Sequence, residues 1–408
     1  MKGVFVIMDG VADEACSQLG GKTPLEYAKT PNLDKIAGKS EFKHCFSVAE
    51  GVSPESSSAV VSLLGYDYAY APRGPLEAVG AGIKIKKGDL VLRCNFATVD
   101  SLKDGNILDS RAGRTLTTYE ANVLAKAINK NVKLPFKFEF IPTRGHRAVL
   151  VFRGGFSDNI SNADPFYGTG YAKSGNRKMV YANPLDDEDD SKLSADLVNQ
   201  FIRASHEVLE KHPINVSRAR KGQYPGNLII CRDAGNEPVK FNKLKGKWMA
   251  LGYNPLEIGI AKAVGMDCYT FRYPRLWGTD VYGNFHKGLK KAVKYAKKMM
   301  KKYENRYDYF YVHFKETDLP GHDGKPLEKV KMIEFIDERF FSFLSTFIGD
   351  RKLVITADHT TSCKMKGHTA DAVPVLIYPG NGGGRFTEDN GKKGKKIVSK
   401  KLLESTLL

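Results

Sequence analysis

The chain has 408 residues, which is more than one hydrophobic core usually holds, so we expect two domains. Its formal net charge of +17 suits an acidic partner or an anionic substrate. The six cysteines are scattered and no apolar run is long enough to cross a bilayer, which argues against a disulfide framework and a membrane protein. The N-terminus does not resemble a secretory signal, and we therefore expect a cytoplasmic protein with reduced thiols.

Predicted strands and helices alternate at both ends of the chain. Residues 2–8 form a near-continuous apolar strand, and a helix follows the proline and serines at 54–58. From about residue 245 helices alternate with strands again, and a long helix at 327–348 leads to the strand KLVIT. Alternation of this kind predicts an α/β class with a mostly parallel sheet and helices on both faces.

The middle of the chain has a different character. Short strands separated by glycine turns are predicted within 68–114, a helix at 116–129 and a strand at 148–153. The acidic run 185–192 is predicted to be a solvated loop before a helix that begins near Lys192. This mixture predicts an inserted α+β domain.

We therefore divide the chain into two domains. Residues 1–67 and 245–408 would form one discontinuous core. Residues 68–244 would form a cap inserted into it.

Carboxylates and histidines follow several predicted strands of the core. They are Asp9, Asp318, His322, Asp358, His359 and His368. Because the carboxyl ends of parallel strands meet at one edge of a sheet, we expect these side chains to converge. Oxygen and imidazole ligands together suit a divalent cation such as Mn²⁺ or Zn²⁺. One cation could be held by Asp318, His322 and His368, and a second by Asp9, Asp358, His359 and a serine oxygen.

Ser56 is the candidate nucleophile. It lies at the predicted N-terminus of a helix, where free N–H groups and the helix dipole stabilise an alkoxide or a bound phosphate. Coordination to a metal would lower the pKa of its hydroxyl. The alternative is that Ser56, Ser57 and Ser58 only cap the helix.

Arginines of the cap are candidate substrate ligands. The charges of two cations and their anionic ligands would cancel, so a phosphate ester with a carboxylate would be attracted only by additional positive groups. Bidentate arginine pairing suits both anionic groups. The candidates are Arg93 and the close pair Arg111 and Arg114.

Lysines concentrate at 287–302 and 392–401. The first run keeps one apolar stripe, so it is predicted to be a surface helix with a solvated basic face. Few aromatic residues lie among these lysines and no nucleic-acid-binding motif accompanies them. We therefore expect a small anionic phosphate ester as substrate, and neither a membrane nor a nucleic acid as partner.

The chain resembles the archaeal-type, cofactor-independent phosphoglycerate mutases of the alkaline phosphatase superfamily. The matching stretches cover most of the chain in order: MDG, PESSSAVVSLLGYD, LRCNFATVD, DSRAGR, HEVLEKHPIN, HFKETDLPGHDG and TADHTTSCKMKGHTADAVPVLI. The resemblance implies an alkaline-phosphatase-like core and a mutase of glycolysis and gluconeogenesis. Such an enzyme interconverts 2-phosphoglycerate and 3-phosphoglycerate through a phosphoserine, without 2,3-bisphosphoglycerate.

The resemblance also implies roles for individual residues. Ser56 would be phosphorylated and would share one ion with Asp9, Asp358 and His359. The ions would be Mn²⁺, with Zn²⁺, Co²⁺ or Mg²⁺ as alternatives. The implied substrate ligands are Arg93, Arg111, Arg114, Arg232 and Lys315.

Two other functions are compatible with the same residues. A phosphatase or another phosphomutase could use the same two-metal core, because residues of the cap would decide the substrate. A basic nucleic-acid-binding protein with a non-catalytic metal site is the alternative from a different class.

Overall fold

The chain divides into two compact units in a computed structural model that describes residues 2–167 and 178–408. The first unit comprises Met1–Ala71, Lys240–Tyr273 and Phe285–Leu408, and the second comprises Pro72–Val239 and Pro274–Asn284. The structure moves both predicted bounds of the insertion by a few residues, from 68–244 to Pro72–Val239, and it groups Pro274–Asn284 with the second unit although we expected that segment in the core. This segment is short and lacks an apolar pattern that would assign it to either unit.

The strands of the described residues are, in chain order, β1 (Gly3–Met8), β2 (Glu41–Phe46), β3 (Leu90–Val99), β4 (Ile107–Asp109), β5 (Phe138–Arg144), β6 (Arg147–Phe152), β7 (Leu228–Gly235), β8 (Trp248–Gly252), β9 (Asp267–Thr270), β10 (Tyr309–Phe314), β11 (Lys352–Thr356), β12 (Thr360–Ser362), β13 (Gly367–Thr369), β14 (Val373–Tyr378) and β15 (Lys395–Val398).

The α-helices of the same residues are α1 (Pro24–Tyr27), α2 (Pro31–Ala37), α3 (Ser56–Leu63), α4 (Arg73–Gly80), α5 (Thr118–Asn131), α6 (Asp189–Glu210), α7 (Pro213–Arg220), α8 (Pro255–Ala263), α9 (Val281–Tyr303), α10 (Asp318–Asp323), α11 (Pro326–Ile336), α12 (Ser342–Phe347), α13 (Glu388–Lys393) and α14 (Leu402–Thr406). Short 3-10 turns lie at Ser17–Leu19, Tyr68–Tyr70, Ala112–Arg114 and Ser399–Lys401, and a π turn at Asp337–Phe341 joins α11 to α12. None of the helices in this part of the chain is both long and apolar enough to cross a membrane.

An eight-stranded sheet in the order β15-β2-β14-β11-β1-β10-β8-β9 forms the centre of the first unit. The strands from β11 to β9 are parallel to one another, and β14 is antiparallel to both of its neighbours. The predicted α/β class with a mostly parallel sheet is thus confirmed. Every residue of β1 is buried, as expected for a central parallel strand made of a continuous apolar run. The carboxyl ends of β1, β10 and β11 consequently lie side by side.

The second unit is built on an antiparallel sheet in the order β4-β3-β6-β5, with β7 paired to β3. Helices α5 and α6 cover the main apolar core, in which Phe201 packs against Phe140 with ring centroids 5.7 Å apart. A smaller cluster joins Ala78 of α4 to Val91 and Val149 of the sheet. These elements have the α+β character predicted for the insertion.

Several predicted elements need correction. Within 68–114, where short strands were predicted, Arg73–Gly80 is helix α4. Helix α6 begins at Asp189 instead of near Lys192, because Asp189 and Asp190 lie in its first turn, where acidic side chains stabilise the positive end of the dipole. The long helix predicted at 327–348 is interrupted by the π turn Asp337–Phe341. The helix predicted after residues 54–58 is confirmed as α3.

Candidate active site

A first group of ligand-type side chains lies at the carboxyl edge of the parallel sheet. Asp9, Asp358 and His359 offer atoms that all lie within 4.8 Å of one another, and all three residues are fully buried. His359 Nε2 is 3.3 Å from Asp358 Oδ2 and 3.7 Å from Asp9 Oδ1. The chain bends at Asp358 and His359 after β11, so two adjacent residues can face the same point. The expected convergence of these three residues is therefore found.

Ser56 belongs to the same group. It is the first residue of α3, and its Oγ lies 3.1 Å from His359 Nε2. The N-cap of α3 is Glu55, which makes no side-chain capping bond, whereas Ser58 Oγ donates to the carbonyl of Glu55 at 2.9 Å. The hydroxyl of Ser56 thus faces the carboxylates and histidine and does not cap the helix.

A second group shares a member with the first. Asp318, His359 and His368 offer atoms within 4.8 Å of one another. Asp318 Oδ1 lies 3.6 Å from His368 Nε2 and 3.5 Å from His322 Nε2. The structure thus brings His322 to Asp318, as expected. It also places His359 between the two groups, which the sequence did not suggest.

Backbone carbonyls select the tautomer of two of the histidines. His368 Nδ1 lies 2.8 Å from the carbonyl of Pro54, and His322 Nδ1 lies 3.4 Å from the carbonyl of Lys366. A carbonyl only accepts hydrogen bonds, so each Nδ1 carries the proton. The lone pair of each imidazole is therefore on Nε2, the atom that faces Asp318.

Thr361 performs the same task for His359. Thr361 Oγ1 donates to Asp318 Oδ1 at 2.8 Å and lies 2.9 Å from His359 Nδ1. Because its proton goes to Asp318, the hydroxyl accepts from His359 Nδ1. The lone pair of His359 Nε2 then points towards Ser56 and the two aspartates. Burial lowers the pKa of His359 to about 3, so this imidazole is neutral near pH 7.

The charges and hydrogen bonds of these residues fit divalent cations. Asp9 Oδ1 and Asp358 Oδ2 are buried and accept no hydrogen bond from any residue that the structure describes. Although burial opposes ionisation, nearby His359, Lys315 and His313 hold the pKa of Asp358 below its usual value. Buried anionic oxygens without donors are costly unless a cation lies beside them. Carboxylate oxygens and Nε2 lone pairs directed at one point are suitable ligands for such a cation.

Gly10 allows the backbone to approach the site closely. Its φ is +53°, and a Cβ built there would lie 2.8 Å from Asp318 Oδ1 and closer still to Thr361 Oγ1. Only glycine adopts this conformation and leaves this space without strain.

Lys315 lies beside Asp9 in the first unit. Its Nζ contacts Asp9 Oδ2 and is 3.1 Å from Glu257 Oε1. His313 Nε2 lies 3.1 Å from the same oxygen of Asp9. Sequence reasoning did not identify Glu257 or His313, because Glu257 comes from α8 and His313 is inside an apolar strand.

The predicted arginines are grouped in the second unit. Arg93 and Arg232 are opposite each other in the pairing of β3 with β7. The guanidinium of Arg232 lies 3.2 Å from the ring centroid of Tyr167, and Arg111 donates to the hydroxyl of Tyr167 at 3.4 Å. Arg114 ends the turn that follows Arg111 and has a φ of +56°.

Sequence reasoning missed two more arginines of this group. Arg73 Nε and Arg93 Nε both donate to Glu77 Oε1, at 2.7 and 3.3 Å. Burial and neighbouring arginines lower the pKa of Arg147 to about 9 and that of Arg93 to about 10. Arg93 Nη1 is buried without a hydrogen-bond partner among the described residues. Crowded, buried guanidinium groups suit an anionic ligand. No spacing in the sequence indicated this, because Arg73 and Arg147 come from separate elements.

Two family models match the chain. Residues 37–215 match the model described as 2,3-bisphosphoglycerate-independent phosphoglycerate mutase. Residues 260–400 match the model of the metalloenzyme superfamily.

Curated relatives match over nearly the whole length. The 2,3-bisphosphoglycerate-independent phosphoglycerate mutase of Thermococcus kodakarensis is 36% identical over 405 residues, which cover 96% of this chain and 92% of the relative. The enzyme of the same name from Methanopyrus kandleri is 37% identical over 388 residues, covering 92% and 87%.

Solved structures are similar in fold. A protein from Pyrococcus horikoshii superposes with a TM-score of 0.73 and 29% identity, covering 99% of this chain and 96% of the other. The cofactor-independent phosphoglycerate mutase from Thermoplasma acidophilum has a TM-score of 0.53 and 25% identity, covering 100% and 99%.

Proposed function

The chain belongs to the family of 2,3-bisphosphoglycerate-independent phosphoglycerate mutases, and from this we propose that it interconverts 2-phosphoglycerate and 3-phosphoglycerate through a phosphoserine at Ser56. The observation that supports this nucleophile best is the 3.1 Å contact of Ser56 Oγ with His359 Nε2, beside buried carboxylates. The substrate is a small phosphate ester, and no bisphosphoglycerate is required. We assign the reaction to the cytoplasm, where the six free cysteines would stay reduced.

We propose two divalent ions in this site. Asp9, Ser56, Asp358 and His359 would hold one, and Asp318, His322 and His368 would hold the other. When bound, the ions would supply the positive charge that lowers the pKa of the Ser56 hydroxyl and offsets charge on the transferring phosphoryl oxygens. Mn²⁺ suits this mixture of oxygen and imidazole ligands, and Zn²⁺, Co²⁺ and Mg²⁺ are the ions to compare with it.

The chain's own residues then account for the transfer. Ser56 loses its proton, and Oγ forms a bond to phosphorus as the bond to the substrate oxygen breaks. The glycerate oxygen takes up a proton and leaves as a hydroxyl. The other hydroxyl of glycerate then attacks the phosphoserine, which restores Ser56.

Arginines of the second unit would recognise the anionic groups of the substrate. Arg93, Arg111, Arg114 and Arg232 are the proposed ligands for its carboxylate and phosphate. The proposal for Arg93 is supported by its buried Nη1, which has no hydrogen-bond partner among the described residues. Buried guanidinium groups bind such anions in bidentate fashion.

An isomerisation assay with 3-phosphoglycerate tests this function. We expect activity in the Mn²⁺-loaded protein, and a loss of at least about a thousandfold after chelation or in Ser56→Ala, the scale of losing a covalent nucleophile. Ser58→Ala is the matched control, because Ser58 is on the same helix turn and its hydroxyl donates to the carbonyl of Glu55. Mutase activity retained by Ser56→Ala would contradict the assignment. Phosphate release without isomer formation would favour the phosphatase alternative.

A further inference from the structure

Asp9 is shared with a third group of ligand-type side chains. Asp9, Glu257 and His313 offer atoms that all lie within 4.8 Å of one another, and none of the three is more than 2% exposed. Asp9 Oδ1 faces His359, whereas Asp9 Oδ2 faces His313 at 3.1 Å. Two carboxylates and an imidazole form a ligand set that would accept a divalent cation.

An ammonium group already lies within this third group. Lys315 Nζ contacts Asp9 Oδ2 and is 3.1 Å from Glu257 Oε1. The side chain of Lys315 is 8% exposed, so its charge interacts with the two carboxylates in a medium that screens poorly. The other oxygen of Glu257 accepts from Asn254 Nδ2 at 2.6 Å, which directs Oε1 at the lysine.

We propose that Lys315 Nζ takes the place of a third metal ion in a latent cation site formed by Asp9, Glu257 and His313. This inference rests on the proposed function, because it presumes that Asp9 Oδ1 serves the metal centre. In this role Lys315 offsets the charge of Asp9 Oδ2 and Glu257 without a metal, and it holds Asp9 with Oδ1 towards His359. Lys315 thus acts on Asp9, whereas the family resemblance implied a substrate ligand.

The strand register explains how one lysine reaches this position. His313 is in β10, and Lys315 follows two residues later, so both side chains point to the same face of the extended chain. Asp9 follows β1, which is paired with β10, and its N–H donates to the carbonyl of Phe314 at 2.8 Å. The neighbouring strand thus presents Asp9 to both side chains.

Removal of the amine should convert the group into a metal site. Lys315→Ala is dialysed to equilibrium against Mn²⁺, and the metal content per chain is measured by mass spectrometry. We expect two ions in the unmodified protein and three in Lys315→Ala. Excess Mn²⁺ should also raise the Tm of Lys315→Ala by more than that of the unmodified protein, because the folded state binds one more ion.

Two matched variants locate the additional ion. Lys315→Met keeps the volume of the side chain without its charge, so we expect it to bind two ions. The double variant Lys315→Ala/Glu257→Gln lacks one ligand of the latent site and should also bind two. If Lys315→Ala does not fold, Lys315→Ser opens the same space with a polar side chain and is measured instead.

Each outcome has a distinct meaning. Two ions in both Lys315→Ala and the unmodified protein would overturn the inference and leave the proposed function intact. A third ion that persists in the double variant would also overturn it, because that ion would not use Glu257. Fewer than two ions in the unmodified protein would instead contradict the two-metal centre of the proposed function.

Discussion

Thr361 shows how a residue outside the proposed metal ligands can orient them. Its hydroxyl donates to Asp318 and accepts from His359. One hydroxyl thus satisfies the carboxylate of Asp318 and fixes the tautomer of His359. Groups that orient ligating histidines in this way commonly change metal affinity by one or two orders of magnitude when they are removed.

Thr361→Val removes this hydroxyl while keeping the shape of the side chain. We expect Mn²⁺ affinity to fall by about 10–100-fold, because His359 loses the acceptor that fixes its tautomer. Isothermal titration calorimetry measures the affinity directly. Thr361→Ser keeps the hydroxyl and is expected to bind Mn²⁺ like the unmodified protein. An unchanged affinity in Thr361→Val would contradict this role.

Sequence reasoning at this scale found the candidate ligands and missed the residues that orient them. Asp358 and His359 stand out because they follow an apolar strand. Thr360, Thr361 and Ser362 follow them as three consecutive hydroxyl residues, and nothing in the sequence indicates which one lies between His359 and Asp318. That choice depends on the turn after β11, a tertiary feature with no sequence period.

At the scale of elements, helix α11 connects the segments that follow β1 and β11, which carry Asp9 and Asp358. Lys329 of this helix is fully buried, and its Nζ donates to the carbonyls of Ala12 and Thr361 at 3.2 and 2.8 Å. It also pairs with Asp13 Oδ2 at 2.8 Å. One cation thus connects the segment after β1 to strand β12.

Lys329→Met should destabilise the fold strongly. The substitution leaves the buried carboxylate of Asp13 without its partner, and breaking a buried ion pair in this way costs about 3–5 kcal/mol of unfolding free energy. Urea denaturation measures this loss. Lys331→Met on the same helix is the control, since Lys331 is 60% exposed and should change stability by less than about 0.5 kcal/mol. Equal stabilities of the two variants would contradict the argument.

Apolar patterns located the strands of the parallel centre better than those at the edges. Strand β1 is a continuous apolar run, which buried parallel strands require. Strand β8 escaped prediction because its five residues, WMALG, are short and lie within a lysine-rich stretch. Strands β2 and β15 were also missed, and both are rich in charged residues because they lie at one side of the sheet.

At the scale of the whole molecule, the candidate ligand groups of the two units carry charges of opposite sign. The first unit buries Asp9, Asp358 and Glu257, whereas the second buries Arg93 and Arg232. The net charge of +17 does not reveal this division, because most of the lysines that contribute to it are on the surface. Composition alone suggested an acidic partner, but it could not indicate that one unit suits cations and the other suits anions.

The stability of the molecule should depend on the protonation of Glu388. Burial raises the pKa of this carboxyl from 4.5 to about 7, so the folded protein keeps a proton that the unfolded chain releases near pH 4.5. The resulting stabilisation is complete below about pH 4.5 and is lost as the pH rises through 7. Its size is about 3 kcal/mol.

Glu388→Gln should remove this dependence. Between pH 5 and pH 8, the unfolding free energy of Glu388→Gln should rise by about 2–3 kcal/mol relative to that of the unmodified protein. Urea unfolding at several pH values measures it. Asp389→Asn, at an exposed neighbour, is the control and should give parallel curves. Parallel curves for Glu388→Gln would show that Glu388 titrates normally.

The domain assignment shows where sequence reasoning ends. A change from alternating elements to short strands placed the start of the second unit at residue 68, a few residues before the observed start at Pro72. The return to the first unit was less accurate, because Pro274–Asn284 groups with the second unit. This segment belongs to the second unit through contacts such as the 3.3 Å hydrogen bond from the N–H of Leu276 to Thr118 Oγ1. No local sequence pattern predicts such a contact.

At Gly10 the wall of the site is main chain alone. The backbone is so near to Thr361 and Asp318 that a methyl group would not fit. No side chain at this position can therefore change the polarity or size of the site. A descendant of this protein with a different ion preference would have to acquire it through changes elsewhere around the proposed ions, and glycine would be retained at position 10.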